Sequence, residues 1–84
     1  MKMSPDQFKV WRRSLGLKQK DAAEVLGLKK RMIQYYEKGE RESRPVEIPK
    51  SVRLACYALS QGIGDFDGEK ITELKRNTED FSEE

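Results

Sequence analysis

The sequence predicts an all-α fold, four to five short helices packed as one compact domain. Three observations carry this. Apolar residues recur at helical spacing in four successive segments, a glycine closes each segment, and no stretch alternates apolar with polar residues as a strand would. A chain of 84 residues has room for one small domain with a thin core.

The first helix is expected to begin at Ser4-Pro5-Asp6-Gln7. This run supplies an N-cap, a proline at the first helical position, an acid beside the positive end of the dipole, and Gln at the capping-box position. Phe8, Trp11, Arg12 and Leu15 follow at i, i+3, i+4 and i+7, and Gly16 stops the helix near Ser14 or Leu15. The second runs from Lys18 or Gln19 to Leu26, with Ala22, Ala23, Val25 and Leu26 as its apolar positions and Gly27 as its end. Its alanines permit close approach of another helix. The third runs from Lys29 or Lys30 to Lys38, turns Ile33 and Tyr36 inward, and ends at Gly39.

Residues 40–49 mix charged and apolar residues between two prolines and read as an extended loop anchored by Val46 and Ile48. The fourth helix begins at Pro49 or Lys50 and continues to about Gln61, with Val52, Ala55, Cys56 and Leu59 at helical spacing before Gly62. Residues 64–68 read as a turn, and residues 69–77 as one or two weak helical turns around Ile71 and Leu74. The expected organisation is a domain over residues 1–64. An acidic segment follows over 65–84, a short helix or disordered, which contributes to a dimer interface.

The formal net charge of +2 conceals an asymmetry. Residues 1–44 hold 12 Lys/Arg against 6 Asp/Glu, residues 45–61 hold 2 against 1, and residues 62–84 hold 3 against 8. A basic front and an acidic tail point to an anionic partner for the first half of the chain. With no histidine and one cysteine, Cys56, the chain has too few ligands for structural zinc and no Ser/His or Cys/His nucleophile pair. No catalytic residue, metal or cofactor is expected, and the chain is not read as an enzyme. No apolar run reaches the ~20 residues of a membrane span and no signal-peptide core stands at the N-terminus, so a cytoplasmic protein is expected.

The informative stretch is residues 17–39, where two short helices meet at a tight glycine turn. This helix-turn-helix arrangement presents its second helix to the DNA major groove. With Ile33 and Tyr36 inward, Lys30, Arg31, Gln34, Tyr35 and Lys38 lie on the opposite face of the third helix. Lys29, Lys30 and Arg31 crowd its N-terminus, where each cation costs about 0.3–1 kcal/mol against the helix dipole. A phosphate or base acceptor beside that end reverses the sign; a solvated lysine-rich face is the alternative.

The stretch from Phe8 to Gly39 resembles the phage repressor and Cro-like (XRE) helix-turn-helix family. It carries Gln at the start of the second helix, Ala23, the turn glycine Gly27, Ile33 and the Tyr-Glu-Lys-Gly ending. The Arg-Pro-Val-Glu-Ile-Pro run leading into an apolar helix is similar to short phage regulators of this family, including those accompanying anti-CRISPR genes. The resemblance implies a lambda-repressor-like domain in a bacterial or phage-encoded regulator. It also implies a phosphate contact from Gln19, and an ion pair between Arg12 and Glu37 joining the first and third helices. The family's usual Ser or Thr caps are replaced here by Lys18 and Lys29, which leaves open which of Lys29, Lys30 and Arg31 makes the first contact.

The expected base contacts are Lys30, Arg31, Gln34 and Tyr35. Arg31 matches guanine O6 and N7, and Gln34 matches adenine. Tyr35 lies against a thymine methyl, reaches a phosphate, or is a half-buried core edge. Lys30 touches a base or the backbone. The expected backbone contacts are Lys18, Gln19, Lys20, Lys29, Lys38, Arg41 and Arg44; for the last two, ordinary exposed charge is the alternative.

One recognition helix reads only about 4–6 base pairs, so a homodimer on an inverted-repeat operator is expected, joined through Val52, Leu59, Ile63, Phe66 and Ile71. The mode of action that follows is repression, including repression of its own operon, by covering a promoter. The alternative is a DNA-binding antitoxin whose acidic tail wraps a small protein partner. An RNA-binding module fits less well, because the aromatics form no stacking platform.

Overall fold

The computed structural model describes residues 2–74. Four helices, α1 (Pro5–Ser14), α2 (Gln19–Leu26), α3 (Lys30–Lys38) and α4 (Lys50–Ser60), enclose the core. Two small hairpins accompany them: β1 (Glu40–Arg41) with β2 (Arg44–Pro45), and β3 (Ile63–Phe66) with β4 (Ile71–Glu73).

The start of α1 is the expected capping box. The Gln7 amide donates to Ser4 Oγ at 3.0 Å and the Ser4 amide donates to Gln7 Oε1 at 2.8 Å. At α2 only the reciprocal half of such a box exists, because the N-cap is Lys18, whose ammonium cannot accept. The Asp21 carboxylate takes the Lys18 amide at 3.1 Å. Gly27 ends α2 at φ 72°, a left-handed conformation that a residue with a Cβ adopts at a cost, and the Leu28 amide folds back onto the Ala23 carbonyl at 2.8 Å. That turn sets α3 across α2.

The core is built where the sequence places its apolar stripes. The fully buried Phe8 ring packs 5.3 Å from Trp11 and edge-on to Tyr36 at 5.6 Å, which ties α1 to α3. Trp11 Nε1 donates to the Cys56 carbonyl at 2.8 Å and so ties α1 to α4. Ala22 and Ala23 are buried, and Ile48 anchors the segment before α4 with Val46 half-buried beside it.

The hairpins correct the all-α expectation. Residues 40–45 are a two-residue hairpin rather than plain loop, with Glu40 opposite Pro45 and Arg41 opposite Arg44. The segment around Ile71 forms a strand instead of helical turns. Phe66 pairs with Ile71 and Ile63 with Glu73, and a bulge lies between Ile63 and Asp65. The turn is local chemistry: the Asp67 carboxylate accepts the amides of Glu69 at 2.9 Å and Lys70 at 2.8 Å. These backbone hydrogen bonds also hold the Asp67 carboxyl below its usual range.

The bulge requires Gly64, since a Cβ there would stand 2.9 Å from the Leu74 Cα. Leu74 packs against the core and its amide donates to the Gly62 carbonyl at 2.8 Å, so the second hairpin is stitched to the end of α4. The expectation for residues 75–84 lies outside the described residues.

Candidate nucleic-acid interface

Burial of Ile33 and Tyr36 fixes which way α3 faces. Lys29, Lys30, Arg31, Gln34 and Lys38 are all exposed, and Tyr35 is half-buried at the edge of the same surface. Arg31 and Tyr35 stand one turn apart, as do Lys30, Gln34 and Lys38, so the helix presents two parallel polar rows. No side chain caps α3 and its first turn holds no acid. The positive end of its dipole is therefore compounded by three cations instead of being offset.

This face is held rigidly from behind. Arg12 Nε donates to Glu37 Oε2 at 2.6 Å and Nη2 to Oε1 at 3.2 Å, with both side chains almost wholly buried. Arg12 Nη1 also donates to the Leu17 carbonyl at 2.9 Å, and the Gln19 amide donates to Glu37 Oε1 at 3.2 Å. One carboxylate on α3 thus collects donors from α1 and from the first residue of α2, which locks the angle between the two helices of the turn. At the same C-terminal end of α3 the Arg41 guanidinium lies over the Tyr35 ring, 5.2 Å from its centroid.

A family model described as helix-turn-helix matches residues 8–48, from the first buried residue of α1 to the buried Ile48. Over residues 8–48 the chain is similar to that helix-turn-helix family. The match supports the XRE-type family and DNA as its partner. No curated protein matches the chain.

Within the matched residues, Lys18 and Lys20 are exposed on either side of Gln19, and Arg41 and Arg44 are exposed on the β1–β2 hairpin. Gln19 is half-buried and its amide nitrogen is engaged with Glu37, a role in positioning α2 that the sequence did not reveal. The Arg12–Glu37 pair stands as expected.

The surface read as a dimer contact needs correction. Val52 and Leu59 are core residues, 9% and 3% exposed, because they share one stripe of α4 with Cys56 and pack inward with it. Neither is available to a partner. Ile63 is half-buried, while Phe66 and Ile71 stay 61% and 57% exposed and face each other across the hairpin. Leu54 and Tyr57, not singled out from the sequence, are also exposed, at 60% and 66%. The signal for them was their i, i+3 spacing, out of phase with Val52, Cys56 and Leu59. Among the described residues no three His, Cys, Asp or Glu side chains gather as a metal site, and no helix is long and apolar enough to cross a membrane.

Proposed function

We propose that this chain is a sequence-specific regulator of transcription that lays α3 in the major groove of duplex DNA and represses by covering a promoter. The observation that carries this reading is the exposed basic face of α3, uncapped and crowded with Lys29, Lys30 and Arg31 at its leading end. Such an end is unfavourable for an isolated helix and favourable beside phosphates and guanine edges. Lys18, Lys20, Arg41 and Arg44 flank it and supply contacts to the backbone, which orient the domain and carry no sequence information.

One domain offers one such helix, so a homodimer on an inverted repeat supplies the specificity that a single half-site lacks. The exposed apolar residues Leu54 and Tyr57 of α4 and Phe66 and Ile71 of the second hairpin are proposed for that contact. Short regulators of the kind the sequence resembles act on their own promoters, and the same target is proposed here.

The test is selection of bound duplexes from a random library, followed by footprinting on the DNA upstream of the gene. The expected result is an enriched inverted repeat protected by a dimer. Retention of random duplexes with no enriched sequence would overturn sequence-specific regulation.

A further inference from the structure

We propose that the β1–β2 hairpin is an arginine clamp for a backbone phosphate, and that it is joined to α3 so that Arg41 acts as a positioning residue for Tyr35. This rests on the DNA-binding reading above. Three independent features converge on the hairpin. Arg41 and Arg44 are register partners, so two like-charged residues occupy directly opposite positions, an arrangement that destabilises a hairpin. Among the described residues neither has an ion-pair partner, although Glu40 and Glu42 lie in the same hairpin. The two turn residues, Glu42 at φ 52° and Ser43 at φ 69°, occupy the left-handed region that a two-residue turn normally gives to glycine or asparagine.

Folding stability favours neither the facing arginines nor the turn. An anion between the two guanidiniums converts their repulsion into a pair of charge-assisted hydrogen bonds, and the backbone phosphate is the anion this face would meet.

The third feature is the link to α3. The Arg41 guanidinium rests over Tyr35, one helical turn beyond Arg31 on the same row. The Gly39 amide donates to the Tyr35 carbonyl at 2.8 Å and the Val46 amide to the Gly39 carbonyl at 3.1 Å, so the hairpin springs directly from the end of α3. A phosphate that holds Arg41 therefore also holds the plane of the Tyr35 ring. Backbone contact and base preference become coupled at one step of the site.

The experiment is duplex selection from a random library with the wild-type protein, Arg41→Ala, Arg41→Lys, Arg44→Ala, Tyr35→Ala and the Arg41→Ala/Tyr35→Ala double variant. Salt dependence is measured on one selected and one random duplex. Tyr35→Ala is expected to flatten the preference at one base step and keep the salt slope. Arg41→Ala should flatten the same step by about 2- to 5-fold, the scale of a cation–π contact at an exposed site, and lower the salt slope by about 1. Arg41→Lys keeps the slope and still weakens the preference, because the planar stack is lost. Arg44→Ala lowers the slope alone, and the double variant loses no more preference than either single change. An Arg41→Ala protein that weakens binding to all duplexes equally, with every base preference intact, would overturn the coupling and leave the DNA-binding reading standing. A wild-type protein that enriches no sequence would overturn both.

Discussion

Arg12 on α1 and Glu37 on α3 form a two-point ion pair, Nε to Oε2 at 2.6 Å and Nη2 to Oε1 at 3.2 Å, almost wholly removed from water. A pair so placed is the rear support of the surface proposed to face DNA, since Glu37 is one residue from Lys38 and two from Tyr35. Breaking it from one side leaves a buried charge without its partner. Arg12→Ala or Glu37→Ala is expected to cost about 3–5 kcal/mol in urea unfolding, whereas Arg12→Met with Glu37→Leu should cost far less because no charge is left behind. A single substitution that costs under ~1 kcal/mol would show that water reaches the pair.

Cys56 sits 2% exposed in α4, and burial pushes its thiol up to about 12. In the unfolded chain the thiol ionises near its ordinary value of about 8.5. Between those values the unfolded state loses a proton that the native state keeps. Stability is therefore full below about pH 8.5 and falls as pH rises toward 12. The buried Tyr36 hydroxyl, also raised, adds to the same alkaline slope. Thermal melts from pH 7 to 11 are expected to show the decline, and Cys56→Ala to flatten part of it. The native thiol should react with a disulfide reagent only as fast as the protein opens; rapid labelling at pH 7 would contradict this burial.

Gly64 is the point where the second hairpin closes. A methyl group there meets backbone, 2.9 Å from the Leu74 Cα and 3.1 Å from its nitrogen, and a main chain cannot rotate aside as a side chain can. Gly64→Ala is expected to cost about 1–3 kcal/mol, the scale of overpacking, and to show its effect locally. Amide exchange should speed up at Leu74 and Phe66, while α1, α2 and α3 keep their protection. Unchanged protection at Leu74 would mean that the bulge tolerates a Cβ.

That hairpin also marks where sequence reading runs out. The helices were legible because their signals are local: the Ser4–Gln7 box, the glycines after α2 and α3, and stripes such as Phe8, Trp11 and Leu15 lie within a few residues of what they specify. Strands of two to four residues are too short to display an alternation, and Gly64 is explained only by Leu74, ten positions on. The outer face of α3 was legible for the same local reason, because Ile33 and Tyr36 orient it.

The expected dimer contact fails where an apolar stripe of α4 could serve either core or partner. Packing spends Val52 and Leu59 inside and leaves Leu54 and Tyr57 outside. The Gln19–Glu37 contact, 18 positions apart, and the Arg41–Tyr35 contact across the end of α3 are choices of side-chain direction that no spacing encodes.

Arg31 and Lys20 test the proposed division between base reading and backbone holding. Arg31 is exposed in the first turn of α3, where its charge opposes the dipole and no acid offsets it, so removing it leaves the fold at least as stable. Arg31→Ala is therefore expected to keep or slightly raise Tm. On a selected operator it should lose the about 1–3 kcal/mol that a two-pronged guanine contact supplies per half-site, with little change on random duplex. Lys20, exposed in the first turn of α2, is one of the proposed backbone contacts; Lys20→Ala should weaken binding to every duplex alike and reduce the salt slope by about 1. Titrations of both variants against both duplexes at several salt concentrations decide the matter. Equal losses on operator and random DNA for Arg31→Ala would move that residue from base reading to the backbone and shift the recognition register to Lys30 and Gln34.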